Sequence, residues 1–311
     1  MKPFSSVIDA YNLSCDEYQC KIPPSKNLAS YEKTFQEALQ RSLPPAVPCP
    51  TALLIVASDK PLPATNLLRR SANALGVPLA VPYLPQGAQA LRRRVYNHTL
   101  SAMGACPDTA VLLVDAFDTY LRCNATEIRR RVNSFGPGAV IVSAERLYTF
   151  QKRADQHLWD ELGRPSVYRY VNGGGVGGFH IALSKFTRAA AAEAPPPYTS
   201  YFRLMSGRSD QDPIARLVLR DANATKDRSL GSRLDYNASL FLTLTGSDWN
   251  PTFAIKNVKR FNPCIVHVPN KNYRKFSMVV RFVCVVCVPL CVRVFRVSRV
   301  CPGSPRCLFT G

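Results

Sequence analysis

No acidic residue follows Asp248 in this chain of 311 residues, yet eleven Lys and Arg do. More than half of the net charge of +19 therefore sits in the last fifth of the chain. A field of that kind favours polyanions in general, whether nucleic acid, acidic membrane surface or nucleotide phosphate, and it singles out no specific nucleic-acid site. The first residues, "MKPFSSVIDAYNLSCDEYQC", lack an apolar core, so no signal peptide is expected there. Internal repeats are absent. The longest apolar run, "MVVRFVCVVCVPLCVRVFRVSRV", is broken by Arg281 and Pro289 and is too short and too charged for a transmembrane helix. Its Cys284, Cys287 and Cys291 lie in a Val-rich stretch without the turns of a four-ligand zinc site.

What remains is ample for a core. Hydrophobic residues make up 46% of the chain, enough for one large domain or two small ones. Six scattered cysteines (15, 20, 49, 106, 123 and 264) could supply a few disulfides. Asn12, Asn97, Asn124, Asn223 and Asn237 each open an N-x-Ser/Thr sequon, which leans toward a secretory lumen.

Periodicity organises the first half. "TALLIVAS", "VPLAVPYL", "AVLLVDAF" and "AVIVSAE" read as buried strands. Between them, "PATNLLRRSANALG", "AQALRRRVYNHTLSAMG" and "NATEIRRRVNSFG" read as helices that stop at glycines, and Asn124 and Glu127 open the last with capping-box spacing. Strand and helix in alternation imply parallel pairing, hence a Rossmann-like α/β sheet with ligands at the carboxyl ends of its strands. A further helix is expected over "LASYEKTFQEALQRSL", an Ala-rich one over 184–194 and a strand in "PCIVHVPN". Residues 1–48 form an extension, 49–275 the α/β domain and 276–311 a basic tail.

Several motifs could carry chemistry. Asp115 and Asp118, at the end of "VLLV", suit a hard divalent cation that shares its shell with a diphosphate. Such a pair alone is more often a helix cap beside a surface carboxylate. Gly173, Gly175 and Gly178 satisfy G-x-G-x-x-G with Glu193 twenty residues on, but Glu193 falls in a helix, so a substrate-facing turn is expected in place of a dinucleotide site. His267, Asp210 and Asp212 are, taken singly, structural or solvated residues.

In order, however, "IVASD", "LVDAFD", "VSAE", "VNGGGVGG", "SDQDP", "LDYNASLFLTLTG" and "IVHVPN" resemble the successive motifs of the glycosyltransferase domain of procollagen lysyl hydroxylases and its stand-alone relatives. The resemblance covers residues 51–270 and implies a GT-A fold that uses Mn²⁺ (or Mg²⁺) and a UDP-sugar, UDP-glucose or UDP-galactose. It implies Asp115, Asp118 and His267 as metal ligands and Val56, Ser58, Arg92 and Ala116 as nucleotide-binding residues. Asn172, Gly173, Gly174 and Gln211 would face sugar or acceptor, with Asp210 as the catalytic group at the acceptor hydroxyl. The implied acceptor is borne by a protein or glycan, as in hydroxylysine-linked galactose, and the implied compartment is the endoplasmic reticulum or Golgi lumen. "HVPN" replaces the family's "HGNG", and the iron motif of lysyl hydroxylases is missing, so hydroxylation is not expected. An inactive GT-A domain that binds glycans or collagen-like chains is the alternative, and a nicotinamide oxidoreductase a lesser one.

Overall fold

A computed structural model describes residues 14–15, 20–21, 49–58, 60–82, 84, 92–104, 106–148, 156–162, 166–193, 211–223, 230–245 and 251–269. Asp210, the helix expected over "LASYEKTFQEALQRSL" and the basic tail lie outside those residues.

The architecture is mixed α/β, with a mostly parallel central sheet flanked by helices. β1 (Ala52–Ile55) and β3 (Ala110–Val114) are unbroken apolar runs because both of their faces are covered. Successive residues point to opposite faces. Leu53, Ile55, Val111 and Leu113 enter one core, while Ala52, Leu54, Ala110 and Leu112 enter the other. β2 (Leu79–Ala80) and β3 both pair parallel to β1. The crossover helices are α1 (Leu67–Ala74) and α2 (Arg92–Ala102). α3 (Ala125–Ser134) is capped by Asn124, whose side chain accepts from the Glu127 N–H at 2.9 Å, and the chain leaves it through Gly136 at φ 102°.

The sheet departs from simple alternation in one place. β5 (Val140–Glu145) does not lie beside β3. The glycine-rich stretch expected as a turn is instead a ten-residue buried strand, β6 (Tyr170–Phe179), inserted antiparallel between β3 and β5. The sheet order is β2-β1-β3-β6-β5-β7, with β7 (Ser232–Leu234) parallel to β5. Close packing explains the glycines. A Cβ on Gly177 would lie 2.6 Å from Leu112 Cδ2, and one on Gly175 would lie 2.7 Å from Phe241 Cδ1. A dinucleotide fingerprint needs a strand-to-helix turn, and Gly173, Gly175 and Gly178 are instead interior to β6. Glu193 ends α5 (His180–Glu193), paired with Arg216 and Arg220 of α6 (Gln211–Asn223).

A second, three-stranded sheet packs on the first. β8 (Phe241–Thr243) pairs parallel with β9 (Ile265–His267), which pairs antiparallel with β4 (Thr119–Leu121). The Ser143 and Thr243 hydroxyls meet at 2.8 Å between the sheets. α4 (Gln156–Leu162) buries Trp159, and α7 (Pro251–Phe261) leads into β9.

Candidate metal centre

β3 delivers Asp115 at its carboxyl end, and Asp118 immediately precedes β4. β9 brings in His267 from far along the chain. His267 lies opposite Thr119 in the antiparallel ladder, the Val268 N–H donates to the Asp118 carbonyl at 2.8 Å, and the Cys123–Cys264 disulfide joins the same two strands just beyond their paired ends. One ligand atom from each of Asp115, Asp118 and His267 lies within 4.8 Å of the others. His267 Nε2 is 3.3 Å from Asp115 Oδ2 and 3.5 Å from Asp118 Oδ1.

Hydrogen bonding sets which histidine nitrogen faces the carboxylates. The Gly174 N–H only donates, so the Asn172 atom 3.0 Å from it is the carbonyl oxygen, Oδ1. The same Oδ1 lies 3.0 Å from His267 Nδ1, which must therefore carry the hydrogen. Nε2 is left buried, facing the two aspartates, with no hydrogen-bond partner among the described residues. A bare lone pair beside two carboxylates is repulsive unless a proton or a cation lies between them. Without a metal, the proton stays. Burial alone would lower the His267 pKa, but Asp118 and Asp115 outweigh it and push it up to about 10. Asp115 is held below the ordinary carboxylate range. Burial opposes this, and the Arg92 guanidinium, 2.6 Å from Oδ1, outweighs burial together with His267.

The floor of the centre is a bulge. Pairing between β5 and β6 jumps from Val142–Val176 to Ala144–Val171, so residues 172–175 face Ser143 alone on that side, while Gly175 stays in register with Val114 of β3. Their freed backbone groups are satisfied from outside the ladder. Gly173 N–H donates to Gln211 Oε1 at 2.8 Å, Arg93 Nη2 donates to Gly173 O at 2.9 Å, and Asp115 N–H donates to Gly174 O at 3.2 Å. No side chain fits at Gly174, where a Cβ would lie 2.2 Å from His267 Cε1 and 2.7 Å from Asp115 Oδ2.

Of the residues expected from sequence, Asp115, Asp118, His267, Arg92, Asn172 and Gly174 converge here. Gln211 and Gly173 brace the bulge by bonding each other. Arg92, expected to face phosphates, pairs with Asp115. At the end of β1, Val56 is fully buried with its N–H on Ala80 O, and the Ser58 hydroxyl donates to Lys60 O at 2.7 Å. The Ala116 carbonyl accepts from Asn66 Nδ2 at 2.8 Å.

Sequence reasoning passed over three supporting residues. Asn66 caps α1 through Oδ1 and holds the Asp115–Asp118 loop through Nδ2. Arg93, 2% exposed, ties α2 to the bulge. The Tyr96 hydroxyl lies between Ala57 N and Val114 O, and burial raises its pKa. The Asn before a helical run was a visible cap signal. Arg93 sits among three consecutive arginines, and nothing local separates it from its neighbours.

No family model and no curated protein matches the sequence. Among solved structures, the chain is similar to the WbbM bifunctional glycosyltransferase in its apo form, with a TM-score of 0.41 and 11% identity. The match covers 82% of this chain and 52% of that one, so this chain spans about half its length. That is a loose likeness, and the functional reading rests on the centre's own geometry.

Proposed function

We propose that the protein is a metal-dependent glycosyltransferase of GT-A type. It moves a hexose from UDP-glucose or UDP-galactose to a hydroxyl on a protein or glycan. The observation that carries this reading is the meeting of Asp115, Asp118 and His267 at the carboxyl ends of the strands, with Nε2 turned toward both carboxylates.

The donor set fits a divalent ion. Two carboxylate oxygens suit a hard cation, and the imidazole favours Mn²⁺ over Mg²⁺. A bound ion would offset the charge that builds on UDP as it leaves. The chain's own groups do the rest. Asp115, Asp118 and His267 would hold the ion, and Asn172 keeps Nε2 available to it. Arg92 adds a fixed positive charge beside Asp115, where the donor's phosphates would lie. Gly174 leaves room beside the ligands, and Asp210, next in sequence before Gln211, is assigned by the motif resemblance to the acceptor hydroxyl. The seven ordered motifs support the lysyl hydroxylase-like subclass, with a hydroxylysine-linked galactose among the acceptors.

UDP release from each UDP-sugar with Mn²⁺, compared between wild type and Asp115→Ala, tests the reading. Loss of a bound Lewis acid should cut turnover by roughly 100-fold or more. Equal turnover in the variant would sink it. One observation favours an inactive glycan- or collagen-binding domain. Val268, in place of the family glycine, is 1% exposed, and its N–H is already bonded to Asp118. On that reading UDP or glycan binds and no turnover follows.

A further inference from the structure

A small pocket of about 210 Å³ opens between α7 and the chain just after β5 and just before β6. Arg146, Tyr168, Lys256, Asn257, Arg260 and Phe261 line it. Arg146 directly follows β5, and Tyr168 lies two residues before β6. The pocket therefore sits at the same sheet edge as the metal centre. Asn172 lies four positions after Tyr168, and four steps of extended chain span at most about 14 Å.

Two features mark it as a site. Asn257 is 6% exposed, yet its Nδ2 has no hydrogen-bond partner among the described residues. A buried donor left unmade is costly to the fold, and a ligand acceptor would complete it. Lys256 and Arg260 form no ion pair with any described residue; Arg260 lies only over the Phe261 ring, 5.0 Å from its centroid. A buried donor with two exposed cations lining the same pocket selects an anionic group. The volume falls below the roughly 300–1,000 Å³ of whole-ligand pockets, so it takes one group of a longer molecule. The surroundings favour a peptide over a sugar. Tyr168 is 1% exposed and offers no open ring face for stacking, while Val167, which also lines the pocket, is an apolar side chain 52% exposed.

We propose that this pocket is an acceptor-side subsite for the carboxylate of a Glu or Asp within a peptide, held by Lys256, Arg260 and the Asn257 amide. It rests on the transferase reading for its role as an acceptor subsite, and its ligand chemistry is testable without turnover.

The test is binding of a fluorescein-labelled Gly-Val-Glu-Val-Gly peptide to the full chain, without metal or nucleotide. Its Gln counterpart and a sulfated heparin oligosaccharide serve as comparisons. The Glu peptide should bind roughly ten-fold better than the Gln peptide. A double K256A/R260A variant should lose that preference while keeping its melting temperature, because both side chains are at the surface. Asn257→Leu should raise the melting temperature and weaken the Glu peptide. The proposal fails if Glu and Gln peptides bind alike, or if Asn257→Leu leaves binding unchanged. It also fails if heparin, rather than the peptide, depends on Lys256 and Arg260. Equal loss in a Lys185→Ala control, on α5, would reduce the effect to general attraction by a basic chain and overturn it. Should UDP-sugar turnover be absent while these differences hold, the transferase reading falls and the carboxylate site stands.

Discussion

His267 and Asn172 are joined by a 3.0 Å hydrogen bond whose direction is set by a third group, the Gly174 N–H. Because that N–H requires an acceptor, Asn172 turns its oxygen inward, and His267 must present Nε2 to the aspartates. Partners of this type typically alter metal affinity by about 10–100-fold when removed. Asn172→Ala should weaken Mn²⁺ binding, measured by the loss of free-ion EPR signal, by that order. Asn172→Asp keeps an acceptor for both donors and should retain most of the affinity. Equal losses in the two variants would argue for a merely structural residue.

Gly174→Ala should disable the centre. The added Cβ meets the His267 ring, in β9, and Asp115 Oδ2, at the end of β3, inside contact distance. Overpacking of this kind costs about 1–3 kcal/mol. Denaturant melts should show that loss, together with loss of Mn²⁺ binding. Gly138→Ala, where a Cβ meets nothing within 4 Å, serves as the control.

The metal-free protein should show two opposite pH limbs. Asp115 has a folded pKa below its ordinary 3.8, so its contribution is present above that value and is lost as pH falls further. His267 is raised from 6.5 to about 10, so its contribution is complete below pH 6.5 and disappears as pH climbs toward 10. Apo stability should therefore be highest from about pH 4 to 6.5 and decline above it. Mn²⁺ must displace the His267 proton, so its affinity should rise across the same alkaline range. Melting temperatures against pH, with and without Mn²⁺, check both signs; an apo stability that rises from pH 7 to 9 would contradict the assignment.

The Cys123–Cys264 disulfide links cysteines 141 positions apart and anchors the strand that carries His267. Replacing both cysteines with serine should cost about 2–5 kcal/mol. Mn²⁺ affinity should fall with it, because β9 loses its covalent tie to β4. The Cys49–Cys106 bridge lies at the opposite, amino-terminal side of β1 and β3, so removing it should lower stability with little effect on the metal.

Gln211→Leu removes the acceptor of the Gly173 N–H. A buried donor without its partner costs about 1–3 kcal/mol. The variant should be destabilised, and Mn²⁺ binding should weaken because the bulge no longer holds Asn172 in place. Unchanged binding would separate the brace from the centre.

Local chemistry alone determined much of this molecule. The short apolar runs of β1, β3 and β5 read as buried strands, and Asn124 and the glycine stops bound the helices between them. The position of Asp115 and Asp118 at a strand end follows from "VLLV" directly. The glycine-rich stretch went the other way. Five of the six residues of "GGGVGG" are glycines, which are depleted in strands, and they lie in β6 where Leu112, Phe241 and Ala139 press on them from neighbouring elements. That is tertiary packing overriding propensity. The role of His267 was likewise undecidable from its own segment, since an isolated histidine in a strand is usually core. Only the antiparallel pairing of β9 with β4, clamped by Cys264, brings its Nε2 to the two aspartates. Only the bulge at Asn172 decides which nitrogen arrives there. The sequence encodes elements through nearest-neighbour preference and periodicity. A metal centre depends on distances between segments distant in the chain, and those distances exist only once the two sheets have packed.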